Sequence, residues 1–244
     1  MRGVAVAALL ALSTPAAATG FWPKDGSAAS GARTPSGLPV SVPPPAGAQR
    51  RTADFMKVTA TAEVRHVADW AVDSGNNNGM PYLVIDKVQA KVYAFDSTGR
   101  LRDAQPALLG MGRGDGTAAG IADLKMSAIP PEDRTTPAGR FVATVGRDPT
   151  GKDILWIDYD TAIALHRVVK GTPAEQRAQR LASATPSDNR ISYGCINVPV
   201  SFYENVVSPA FTGTGGIVYI LPENSTARDF FGSYDVVPDN VQGL

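Results

Sequence analysis

The chain carries one cysteine, Cys195, and two histidines, His66 and His166. A lone cysteine cannot close an intramolecular disulfide, so either its burial or its reactivity has to account for it. It sits in Ile191-Ser192-Tyr193-Gly194-Cys195-Ile196-Asn197. There Gly194 keeps side-chain bulk away from the thiol, and Ser192 and Asn197 flank it with short polar groups. A thiol of pKa about 8.5 is mostly protonated at neutral pH, so a nucleophilic cysteine needs a base or a positive neighbour. His166 ends the strand-like run Ile163 to Leu165 and is the candidate base. His66 lies in a helical segment one position off its apolar stripe, which favours a structural or solvated role. The competing reading of Cys195 is a small buried hydrophobe; its small polar neighbours favour the nucleophile. One cysteine and two distant histidines have no metal-ligand spacing, and no second cysteine is present to resolve a mixed disulfide.

Between His166 and Ser192 lie 25 residues (192 − 166 − 1) that must loop out and return. They hold Arg167, Lys170, Arg177, Arg180 and Arg190 against Glu175 and Asp188. This excess of positive charge either favours a thiolate and receives a substrate carboxylate, or is a solvated helix face. The resulting candidate site has Cys195, His166, Gly194 and Ser192 as catalytic residues. Tyr193, Asn197 and Arg190 are its candidate substrate-binding residues. No cofactor motif accompanies it: Gly110-Met111-Gly112-Arg113-Gly114 has the glycines of a phosphate loop without the spacing, and reads as a strand-ending turn.

The elements that must position these residues follow from pattern. Lys+Arg and Asp+Glu both number 23, so no net charge draws the chain to nucleic acid. No apolar run reaches the roughly 20 residues of a membrane span. Arg2, the apolar stretch Gly3 to Leu12 and Ala16-Ala17-Ala18 have the form of an export signal over 1–18, placing the protein in the periplasm or cell envelope. Residues 19–56, rich in Pro, Gly and Ala, read as a flexible linker. Val64, Val67, Ala68 and Ala71 predict a helix within 57–79, stopped at Gly75. Strands are predicted at Tyr82 to Asp86, Lys91 to Asp96, Arg140 to Val145, Ile154 to Tyr159, Ile163 to Leu165 and Ile217 to Leu221. Thr172-Pro173-Ala174-Glu175 fits a capping box opening a helix to about Ala182, and Val198 to Val207 predicts another helix behind the cysteine. The sum is a predominantly β domain over 80–222, a sandwich or closed sheet, followed by a tail of undecided role at 223–244.

Ser192-Tyr193-Gly194-Cys195-Ile196-Asn197 resembles the Ser-His-Gly-Cys-hydrophobic-Asn/Arg signature of the YkuD-type L,D-transpeptidases, which pair it with an upstream histidine. Tyr82 to Phe95 is similar to that family's opening hairpin, and Thr136-Pro137-Ala138-Gly139-Arg140-Phe141 to its Thr-Pro-x-Gly-x-Phe segment. Ile217 to Leu221 stands where its closing strand falls. The resemblance spans about Pro81 to Pro222. It implies a mainly β fold, a YkuD-like mixed-sheet β-sandwich with a few peripheral helices. It also implies, as partners, peptidoglycan stem peptides. By position Cys195 is the nucleophile that expels a terminal D-alanine, His166 is its base, and backbone N–H groups around Gly194 and Cys195 hold the oxyanion. An amine from another stem then resolves the thioester. The chain departs from the family at Tyr193, where a second histidine is usual, and in the longer gap between His166 and Ser192. The alternatives are an L,D-carboxypeptidase or other peptidoglycan amide hydrolase on the same scaffold, and a non-catalytic wall-binding module.

Overall fold

The computed structural model describes residues 49–237 together with Pro43. The expected export signal and most of the expected linker lie outside these residues. Eight strands form one mixed sheet: β1 (Tyr82–Asp86), β2 (Lys91–Phe95), β3 (Leu101–Pro106), β5 (Gly139–Arg147), β6 (Asp153–Asp158), β7 (Ile163–Arg167), β9 (Ile196–Val198) and β10 (Gly216–Ile220). Their order is β3-β2-β1-β10-β5-β6-β7-β9, and β4 (Leu109–Gly110) with β8 (Arg190–Ser192) makes a two-stranded ribbon. β1 runs parallel to β10 and β7 parallel to β9; the other neighbours in the large sheet are antiparallel. Just past β3, Leu108 pairs with Asn197 of β9, the opposite edge. The sheet is therefore nearly closed, and the fold is mainly β with few short helices, consistent with a YkuD-like β-sandwich.

Alternation along the strands separates two apolar faces. Leu83, Ile85, Val92, Phe141, Leu155, Leu165, Ile196 and Val218 form one core. It is covered by helical residues 200–211, where a π-wound middle, Tyr203–Val207, joins α3 (Val200–Phe202) to α4 (Ser208–Phe211). Tyr82, Val84, Tyr93, Phe95, Ile217 and Tyr219 face the other way, onto α1 (Ala62–Asp73) and α5 (Ala227–Phe231). Both faces of β1 are covered, so all five of its residues are buried. Thr61 caps α1, its Oγ1 accepting the Val64 N–H.

Several local expectations change. The linker ends earlier than residue 56: Phe55 is buried edge-on to Phe95 at 5.2 Å, and Asp54 pairs with Arg100. The capping box of Thr172 and Glu175 forms, but it opens only a 3-10 turn, Pro173–Glu175. Gln176 then adopts a left-handed conformation (φ 46°) before α2 (Arg177–Ala182) begins. The tail docks on the domain: Phe231 stacks on Trp70 at 6.3 Å, and His66 Nε2 meets Ser233 Oγ at 2.7 Å. β3, β4, β8 and β9 are additional strands. Among the described residues no helix is long and apolar enough to cross a membrane.

Candidate functional site

Cys195 lies in the turn between β8 and β9, and β9 pairs in parallel with β7 so that His166 is opposite Asn197 and Leu165 opposite Ile196. Ile163 and Leu165 point into the core, whereas Ala164 shares a cluster with Cys195 on the outer face. Strand alternation puts His166 on that outer face, one side chain beyond Ala164. The turn needs its glycine. Gly194 has φ +126°, and a Cβ there would lie 2.7 Å from Thr135 O and 2.9 Å from the Ile163 side chain.

Three polar side chains lock the turn. Ser192 Oγ accepts the Gly194 N–H (3.1 Å) and donates to Cys195 O (2.6 Å). Fully buried Thr136 accepts the Gly110 N–H (2.9 Å) and donates to Gly194 O (2.7 Å), tying the Thr-Pro segment to the cysteine turn. Asn197 Nδ2 donates to Cys195 O (3.3 Å), while its Oδ1 accepts from Arg177 Nη1 (3.0 Å). Ser192 and Asn197 are 3% and 1% exposed, so both act on the backbone of Cys195 and neither presents a surface to substrate. With the Gly194 N–H given to Ser192, the expected oxyanion donors reduce to neighbouring N–H groups.

Burial pushes the Cys195 thiol above its ordinary pKa, and a backbone hydrogen bond from Ala164 acts in the opposite direction. Sγ donates to Ala162 O at 3.6 Å, so the resting thiol is turned toward the β6–β7 turn, where Ala162 itself is left-handed (φ 55°). Burial lowers the pKa of His166 below 6.5; the Arg167 backbone bond raises it and nearby Arg177 lowers it further. His166 Nδ1 lies 2.8 Å from Arg167 O. A carbonyl can only accept, so Nδ1 carries the proton and Nε2 keeps its lone pair. The residues are thus a neutral thiol and a neutral imidazole whose Nε2 makes no hydrogen bond among the described residues.

Cys195 opens into a cavity of about 80 Å³. Ile121, Leu124, Met126 and Ile129 line it from a segment of short 3-10 turns, Ile121–Asp123, Met126–Ala128 and Pro131–Asp133; Thr135, Ile163 and Tyr193 complete the wall near the thiol. Tyr193, where the resembled signature has histidine, carries the Arg134 guanidinium 4.1 Å above its ring centre. Thr136, Arg177 and Arg134 are the residues that sequence reasoning left out of the site. The capping box and the basic run pointed to Arg177, but nothing local placed Arg134 against Tyr193.

Arg190 is elsewhere. Its Nη2 bonds to Lys87 O (2.8 Å) and pairs with Glu223, and its side chain is 8% exposed. Glu223 Oε2 also accepts the Gly114 N–H, while Lys87 Nζ, fully buried, bonds Asp115 (2.8 Å) and Thr136 O (3.1 Å). Arg190 therefore supports the loop behind the site and does not line the cavity.

No protein-family model matches the chain, and no curated protein matches it by sequence. Among solved structures it is similar to the catalytic domain of the E. faecium L,D-transpeptidase, with 18% identity and a TM-score of 0.33 over 57% of this chain and 95% of that one. It is also similar to Bd1075 of Bdellovibrio bacteriovorus, with 16% identity and a TM-score of 0.35 over 62% of this chain. It spans about half of that second chain, 52%.

Proposed function

We propose that the protein is an exported cysteine acyltransferase that acts on peptidoglycan stem peptides by L,D-transpeptidation. The observation that supports this reading is that Cys195, held on a glycine turn, lines a cavity, while His166, outside that lining, stands on β7 opposite Asn197, two residues beyond the cysteine, with its Nδ1 held by Arg167 O. In the proposed reaction Sγ leaves Ala162 O and gives its proton to His166 Nε2. The thiolate attacks the carbonyl that precedes the terminal D-alanine. The Tyr193 and Cys195 N–H groups are the remaining candidates to receive the oxyanion, because the Gly194 N–H is held by Ser192. The C–N bond breaks, His166 returns its proton to the departing amine, and the thioester stays on Cys195. An amine from a second stem then attacks the thioester, passes its proton to His166, and frees the thiol. The mostly apolar cavity wall favours an amine acceptor over water, since it limits hydration of the thioester.

The test is product analysis by mass spectrometry after incubating the protein, and its Cys195→Ala form, with disaccharide tetrapeptides. D-alanine release with dimer formation, absent from the variant, is the expected result. Release without dimers would make the protein a hydrolase, and substrate left intact by both forms would oppose an acyltransferase.

A further inference from the structure

We infer that Arg134, held on the ring of Tyr193, is the subsite for a free carboxylate on the residue that leaves when Cys195 attacks. The inference rests on the acyl-transfer reading and adds to it the group that selects the donor. Arg134 follows the 3-10 turn Pro131–Asp133 with φ −76° and ψ 54°, and the Thr135 N–H bonds Asp133 O at 2.8 Å across it. That is an inverse γ-turn, which fixes the direction of the residue at its centre. The Gly112 N–H holds Arg134 O (3.0 Å), and Gly110 is needed because a Cβ there would overlap the same oxygen.

The side chain is equally constrained. Nε donates to Ile129 O (2.9 Å), and Cζ stands 4.1 Å from the centre of the Tyr193 ring. Nη1 and Nη2 make no hydrogen bond or ion pair among the described residues, whereas Arg167, Arg177 and Arg190 each hold a carboxylate. Ile129, Thr135 and Tyr193, the three residues that surround Arg134 here, all line the Cys195 cavity. The lining itself contains only apolar, hydroxyl and thiol side chains, and Arg134, outside that lining, brings a positive charge against two of its members, Tyr193 and Ile129. A planar fork with two unused N–H edges matches a carboxylate. A cavity of about 80 Å³ beside it suits a small aliphatic residue. Under the acyl-transfer reading, the anion that this fork would receive is the α-carboxylate of the donor's terminal residue. On this account Tyr193 supplies the platform that keeps the cation in place.

Two measurements on the full chain test this. The first compares donors that differ only in a terminal D-alanine carboxylate or carboxamide. The wild type is expected to prefer the acid by about ten- to a hundredfold in kcat/KM, as for loss of a charge-assisted contact. Arg134→Met should remove that preference, mainly through KM for the acid, while Arg134→Lys restores part of it. Equal use of both donors by the wild type, or an equal loss on both in Arg134→Met, would overturn the inference. The second measurement needs no turnover: Cys195→Ala protein is titrated with N-acetyl-D-alanine and with its amide, followed by NMR. Tighter binding of the acid, abolished by Arg134→Met, supports the subsite even if no donor is consumed, in which case the acyl-transfer reading alone fails. Equal shifts from acid and amide would overturn it.

Discussion

At the site, the backbone of Cys195 is set by buried side chains, and this can be tested one residue at a time. Thr136→Val keeps the shape but leaves the buried Gly110 N–H and Gly194 O unpaired, at about 1–3 kcal/mol each. Chemical melts should show that loss together with reduced turnover. Arg177 works through Asn197 on the Cys195 carbonyl, and its charge also holds His166 toward the neutral form. The base must be neutral to accept the thiol proton, so kcat/KM should fall as pH drops through the folded-state pKa of His166, below 6.5. Removing the cation raises that pKa. Arg177→Met should therefore move the acid limb of the pH profile to higher pH and lower kcat, with Arg177→Lys keeping the limb near its original place. An unmoved limb would leave Arg177 a packing residue only.

Elements differ in how plainly the sequence announces them. Tyr82 to Phe95 and Ile217 to Leu221 are dense in β-branched and aromatic residues because both sheet faces are covered, and their strands could be read directly. β3 could not: among Leu101-Arg102-Asp103-Ala104-Gln105-Pro106 only Leu101 is buried, as befits an edge strand ending in proline. β8 and β9 are three residues each, and their pairing is set by distant partners. α5 carries no long apolar period, yet it closes one face. Phe231→Ala should cost about 3–5 kcal/mol by calorimetry, and kcat should stay unchanged because α5 packs on the sheet face opposite the core that β7 and β9 share. Beside α5, burial and Arg228 lower the pKa of His66 below 6.5, while Arg228 also pairs with Asp235 at the imidazole. The folded chain then binds fewer protons there than the unfolded one. Its stability is full above pH 6.5 and is lost as pH falls through the lowered value. His66→Gln should flatten the decline of Tm between neutral and mildly acidic pH; an unchanged slope would remove His66 as its source.

Across the whole molecule, the candidate site is assembled from segments far apart in the chain. Thr136 and Arg134 reach it from one crossover, Arg177 from another, and Glu223 braces the loop behind Arg190 from beyond the last strand. Cys195, His166 and Gly194 could be named as candidates because the chemistry expected of them is carried by residue type and local spacing. Arg134 was not, because its meaning depends on a stack with a residue 59 positions later (193 − 134). Arg190 was misplaced for the same reason: a basic residue two positions before Ser192 reads as exposed until Glu223 is folded against it.

The central claim is a thioester on Cys195. The most direct measurement is the intact mass of the full chain after brief incubation with a disaccharide tetrapeptide in the absence of an acceptor. The account predicts an added mass equal to the donor less D-alanine, absent in Cys195→Ala and removed by hydroxylamine. D-alanine released equally by the wild type and by Cys195→Ala would contradict it, because the amide would then be broken without the cysteine.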